Sequence, residues 1–132
     1  LHVLDAAGAG FRRAALSAMG ILAPFTPRLV GPVLHGTAAA NSSVSLHVFA
    51  DHAELVGERL QQHNIIYRSC ETRLKSRRDR IASFAGYRFM QEDAEIEATV
   101  FPVDGLRQAP ISSIDGKPMK RADARVVEEL LK

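Results

Sequence analysis

The sequence predicts an α+β domain, a mixed or mostly antiparallel sheet covered by helices, in the order α-β-β-α-β-β-β-α. Three observations carry that expectation. Apolar stripes at helical spacing open and close the chain. An alternating apolar-polar strand lies at 43–49. Several β-rich runs separated by polar turns fill the middle. The 132 residues suffice for one compact core, and 1–132 reads as a single domain. With 46% hydrophobic and 24% charged residues, the balance is that of an ordinary globular chain.

The first helix follows from Phe11, Ala15, Ala18, Met19 and Leu22, which recur as one apolar face. Arg12, Arg13 and Ser17 fall away from it. Pro24 disfavours helical backbone at Ala23, so the helix is expected to stop near Ile21 or Leu22. Pro27 leads into RLVGPVL, a short strand entering a turn. In VSLHVFA, Val44, Leu46 and Val48 face one way, while Ser43, Ser45 and His47 face the other. Asp51 is placed to cap a helix over 52–63, whose buried stripe is Leu55, Val56 and Leu60. His63 and Asn64 end it. IIYRSCETRL and IASFAGYRFM flank the polar turn KSRRDR, and QEDA then turns into EIEATVFP, making a meander. In the last of these runs Ile96, Ala98 and Val100 share a face, opposite Glu95, Glu97 and Thr99. Asp104-Gly105 and Asp115-Gly116 mark turns in the loop after Pro102. Asp123 lies at the start of a final helix expected to bury Ala122, Val126, Val127, Leu130 and Leu131.

No apolar run is long enough for a membrane span, since Gly20 and Pro24 interrupt the longest apolar segment. The chain begins at Leu1, which reads as a fragment, and no targeting segment is visible. Cys70 is the only cysteine, so no intrachain disulfide forms; a reducing, cytoplasmic setting and a structural thiol are expected. The net charge of +2 permits an anionic partner without demanding one. The basic run RLKSRRDR holds Arg73, Lys75, Arg77, Arg78 and Arg80 but no aromatics for base stacking, so it supports nucleic-acid contact only weakly. It reads as a solvated hairpin tip. Arg68 and Arg88 lie within strands and call for anionic partners, with Glu71, Glu95, Glu97 or a bound phosphate as candidates. An exposed sheet edge would suit a homodimer.

The stretch VGPVLHGTAAANSSVSLHVF carries the functional signal. Gly31 and Gly36 let the backbone bend and approach a ligand, and backbone N–H groups at such turns hold phosphate oxygens. The stretch resembles the signature of the nucleotidyltransferase superfamily, the polymerase-beta-like fold. Leu29 and Val30 match its first strand and Gly31 its glycine, with Pro32 in place of the usual serine. Gly36, Thr37 and Ala38 match the second turn, and Ser42 the serine ahead of the acids. Ser43 and Ser45 then stand where the family places two metal-binding acids. EIEATVFP resembles the strand that supplies a third acid, with Glu97 the better match and Glu95 the alternative. The tail from Ala109 resembles the end of a group of small bacterial proteins.

The resemblance implies a nucleotide-binding turn at Gly31, His35, Gly36 and Thr37, and catalytic positions at Ser43, Ser45 and Glu97. Nucleotidyl transfer uses two Mg²⁺ ions, and Mg²⁺ prefers hard anionic oxygens. Neutral serine hydroxyls are poor substitutes, so Mg²⁺ is expected to bind weakly and the ordinary reaction to be feeble or absent. A rebuilt site would use His47 with Glu97, and His35 nearby, a set better suited to a transition metal than to Mg²⁺. No nucleophile-elbow motif supports a serine nucleophile. The expected function is a degenerate nucleotidyltransferase-like protein that binds a nucleotide or another phosphate ligand. The alternatives are an active enzyme with a modified metal site and a protein-interaction domain without a ligand.

Overall fold

The computed structural model describes residues 2–75 and 80–132, with side chains from residue 8 onward. Helix α1 (His2–Ile21) is followed by a 3-10 turn at Ala23–Phe25 and strand β1 (Arg28–Val30). Next come α2 (Gly31–His35), β2 (Val44–Phe49), α3 (Ala53–Gln62), β3 (Tyr67–Lys75), β4 (Ile81–Gln91) and β5 (Ala94–Phe101). A second 3-10 turn at Val103–Arg107 and helix α4 (Ala124–Leu130) close the chain. The fold is α+β, as the sequence predicts. Ser76, Arg77, Arg78 and Asp79 of the expected KSRRDR turn lie outside the described residues.

The five strands form one sheet in the order β1-β2-β5-β4-β3. β2 and β5 run parallel; the other neighbours are antiparallel. Alternation decides the two faces. Val44, Leu46 and Val48 join Ile96 and Ala98 in the core, with Ala15, Ala18 and Met19 of α1, Leu22 just after it, and Val56 and Leu60 of α3. Ser45, His47, Glu97 and Thr99 are left on the opposite face. Arg59 Nε donates to the Ile21 carbonyl, tying α3 to the end of α1. Tyr87 packs edge-on against Tyr67 and donates to the Ala53 carbonyl, which docks the start of α3 on β4.

Several local expectations are corrected. The turn after β1 is one short helix: Pro32 occupies its first turn, and Gly36 ends it in the left-handed region with its N–H on the Pro32 carbonyl. The N-cap of α3 is His52, and no side chain caps that helix, Asp51 included. Leu55, Val126 and Leu130 are exposed because their helices each meet the protein on a narrower stripe than the apolar count suggests. Val127 and Ala122 do reach the core, and the Asp123 carboxylate accepts from the Val126 N–H as an N-cap should.

Two backbone positions yield a test of opposite signs. A Cβ on Gly86 would lie 2.9 Å from the Ala98 carbonyl oxygen and 3.0 Å from the Cys70 sulfur. Gly86→Ala should therefore destabilise by about 1–3 kcal/mol through overpacking. Glu92 and Asp93 both hold positive φ, 48° and 65°, in the two-residue turn joining β4 to β5. Asp93→Gly should stabilise by about 0.5–1 kcal/mol. Urea-unfolding midpoints of the two variants check both signs.

Candidate functional site

The polar face of the β2–β5 ladder floors a cavity of about 1050 Å³. In the parallel register Ser45 pairs with Glu97, and His47 with Thr99. The end of β1 and helix α2 form one wall, through Val30, Gly31, Pro32 and His35, with Thr37 just beyond. Gly31 holds φ 77°, and a Cβ there would stand 3.7 Å from the Ser45 Cβ, so the turn lies directly over that serine. Arg12 fixes the wall from below: its Nε donates to the Val33 carbonyl at 3.1 Å and its Nη2 to the Leu34 carbonyl at 3.0 Å. Those are carbonyls that a helix end leaves open, and a cation suits them. The opposite wall is a hairpin at residues 110–119, and Arg73, Lys75 and Lys120 add positive charge.

Glu97, the one carboxylate among the described residues that line the cavity, is already engaged. Thr72 donates to Glu97 Oε1 at 3.1 Å, and Arg88 Nη2 lies 3.3 Å from Glu97 Oε2. The Cys70 thiol nearby is pushed up by burial and by the Glu97 charge, with the Arg88 charge opposing. Arg88 thus takes its partner from the expected set, and Cys70 is half-buried within β3.

His47 is 3% exposed and tilts against Phe101 with ring centroids 4.5 Å apart. Arg121 Nε donates to His47 Nδ1 at 3.0 Å. An arginine only donates, so Nδ1 is the bare nitrogen and the proton sits on Nε2. Neutral imidazole has one in-plane lone pair, and Arg121 uses it. His47 can coordinate a metal only if that bond breaks. Burial, then the Arg121 charge, drives the His47 pKa down from 6.5 to about 3. Arg121 itself lies 5.0 Å from the Phe49 and Phe101 ring centres and donates through Nη1 to the Gly105 carbonyl at 2.8 Å. Its Nη2 is buried without a partner among the described residues, and burial lowers its pKa to about 10.

The cavity gathers Gly31, His35, Thr37, Ser45, His47 and Glu97. It does not gather Gly36 or Ser43. Gly36 serves as the cap of α2, and Ser43 precedes the first residue of β2. Among the described residues no group of three or more His, Cys, Asp or Glu side chains is placed to hold a metal. Sequence reasoning missed Thr72, Lys120 and Arg121. Arg121 sits in an aperiodic segment, and only the fold carries it to His47. No helix among the described residues is long and apolar enough to cross a membrane. Comparison with family models, curated proteins and solved structures returns no match.

The His47 environment predicts a pH dependence. Below pH 6.5 the unfolded chain protonates His47 while the folded chain does not until about pH 3. The unfolded state then binds more protons, so stability falls as pH drops through that window, by on the order of 5 kcal/mol in all. In His47→Gln the amide oxygen still accepts from Arg121, and nothing there titrates. The expected result is a flatter stability profile between pH 6.5 and 4 for the variant, read from urea midpoints. Parallel profiles would mean that His47 is not the group responsible.

Proposed function

We propose that this chain is a nucleotidyltransferase-like binding protein that holds a nucleotide or another phosphate-bearing ligand in the cavity, without running the ordinary two-metal reaction. One observation carries the reading: Ser45 pairs with Glu97 across the parallel β2–β5 ladder, beneath the Gly31 turn, at the floor of the cavity. That juxtaposition is what the resemblance implies for an acid of the pair and the third acid. Here the serine is uncharged, and the glutamate is engaged by Thr72 and Arg88. A guanidinium supplies the counter-charge where the family's chemistry would call for a metal. With Arg73 and Lys120 against one carboxylate among the described lining residues, the cavity favours an anionic ligand over free Mg²⁺.

Calorimetric titration with ATP, CTP, GTP and UTP, each with and without Mg²⁺, tests the reading. At least one nucleotide should bind, with an affinity that Mg²⁺ changes by less than about threefold, or about 0.6 kcal/mol. Lys120→Glu and Arg73→Glu should each weaken binding about tenfold by reversing an exposed charge at the cavity. Silence across all four nucleotides removes the reading. Strict dependence on Mg²⁺ would instead favour an active site with a rebuilt metal set.

A further inference from the structure

We infer that the ligand of this cavity carries an apolar group beside its phosphate, and that the hairpin at residues 110–119 receives that group. The inference rests on the phosphate-ligand reading above and names the other half of the molecule.

The hairpin is a built element. Ile111 bridges both Lys75 of β3 and Pro118, with its N–H on the Lys75 carbonyl at 2.8 Å. Met119 N donates to the Pro110 carbonyl and Ser112 N to the Lys117 carbonyl, each at 2.8 Å. At the tip, Ser112 Oγ accepts from Ile114 N, Asp115 Oδ1 accepts from Lys117 N, and Gly116 adopts φ 70°. This ordered tip presents Ile114 with 93% of its surface exposed. Ile81, at the start of β4, is 63% exposed. Both line the same cavity, together with Ile111 and Met119.

Large exposed aliphatics are ordinary when scattered singly, but several around one cavity mark a contact surface. Across the cavity, His35 and Thr37 on the first wall and Ser45 and Glu97 on the floor supply polar groups, beside the apolar Val30 and Pro32. One cavity therefore offers two chemistries. A bare polyphosphate uses the polar and cationic part and leaves Ile81 and Ile114 in water. A molecule that joins a phosphate to a nucleobase, an aryl ring or an alkyl chain uses both. The volume, about 1050 Å³, lies just above the range of about 300–1,000 Å³ for small-molecule sites, so it has room for such a two-part ligand.

The test compares ligands that share one half each. The full chain is titrated with ATP, inorganic triphosphate, adenosine, phenyl phosphate, octyl phosphate and inorganic phosphate. ATP should bind at least tenfold tighter than inorganic triphosphate, or an organic phosphate at least tenfold tighter than inorganic phosphate. Which pair separates more identifies the apolar group as a nucleobase or as a simple ring or chain. Ile114→Ser should remove most of that difference and leave inorganic triphosphate binding within twofold. Ile81→Thr, which keeps a β-branched residue in the strand, should do the same. Inorganic triphosphate binding as tightly as ATP, with no gain for either organic phosphate, overturns the inference while leaving the anion site standing. An Ile114→Ser effect of equal size on all ligands also overturns it. If no phosphate compound binds, the functional reading falls and this inference falls with it.

Discussion

The parallel ladder between β2 and β5 is the constraint on which the site depends. It pairs Val44 with Ile96, Ser45 with Glu97, Leu46 with Ala98 and His47 with Thr99. Because side chains alternate, one register sends the aliphatics of both strands into the core and Ser45, His47, Glu97 and Thr99 to the cavity. A slip of one residue in either strand would drive Ser45 and His47, or Glu97 and Thr99, into the core without partners. The core therefore selects the register, and the register places the serine beside the glutamate. The cavity floor follows from hydrophobic burial on the other side of the sheet.

A second constraint ties the C-terminal segment to that floor. Arg121 joins His47 on β2, the Gly105 carbonyl in the 3-10 turn, and the faces of Phe49 and Phe101. It is a half-buried cation with no carboxylate partner among these contacts. Neutral acceptors and aromatic faces replace the anion, and Nη2 is left without a partner among the described residues. The arrangement has a chemical consequence for His47. The imidazole stays neutral and its free lone pair is occupied, so it acts as a buried acceptor and ring surface. The backbone pair between Leu29 and Ala122 continues the same attachment next to Arg121 and leads the chain into α4. The segment held this way includes the hairpin that walls the cavity.

Much of the frame was legible in the residues. The alternation over 44–49 and 95–100 assigned Val44, Leu46, Val48, Ile96, Ala98 and Val100 to one face, and all are buried. Pro24 marked the end of α1, and His63 with Asn64 the end of α3. Of the site residues, Gly31, His35, Thr37, Ser45, His47 and Glu97 do converge. Other features were misread for identifiable reasons. Leu55, Val126 and Leu130 fit a helical stripe by spacing, but how wide a stripe is covered depends on the neighbour and not on the helix. Gly31 to His35 contain two turn-favouring residues, yet Pro32 and Gly36 sit where they start and stop a helical turn. The segment after Pro102 shows turn signals and no periodicity, so its hairpin and its docking on Lys75 had no local signature.

What the sequence determined by itself was local: which residues alternate, which recur at helical spacing, where glycine and proline bend the chain, and that serines stand in a pattern expected to carry acids. These properties lie within a few residues of one another and follow from backbone geometry. Only the tertiary structure decided the partners. Glu97 meets Thr72 across 25 positions of the chain, and Arg121 meets His47 across 74. No periodicity encodes such pairs, because each is set by which strands become neighbours and which face the core claims. Those pairings turn a polar strand face into a cavity whose described carboxylate is engaged, whose histidine is kept neutral and whose far wall presents Ile111, Ile114 and Met119 beside two serines.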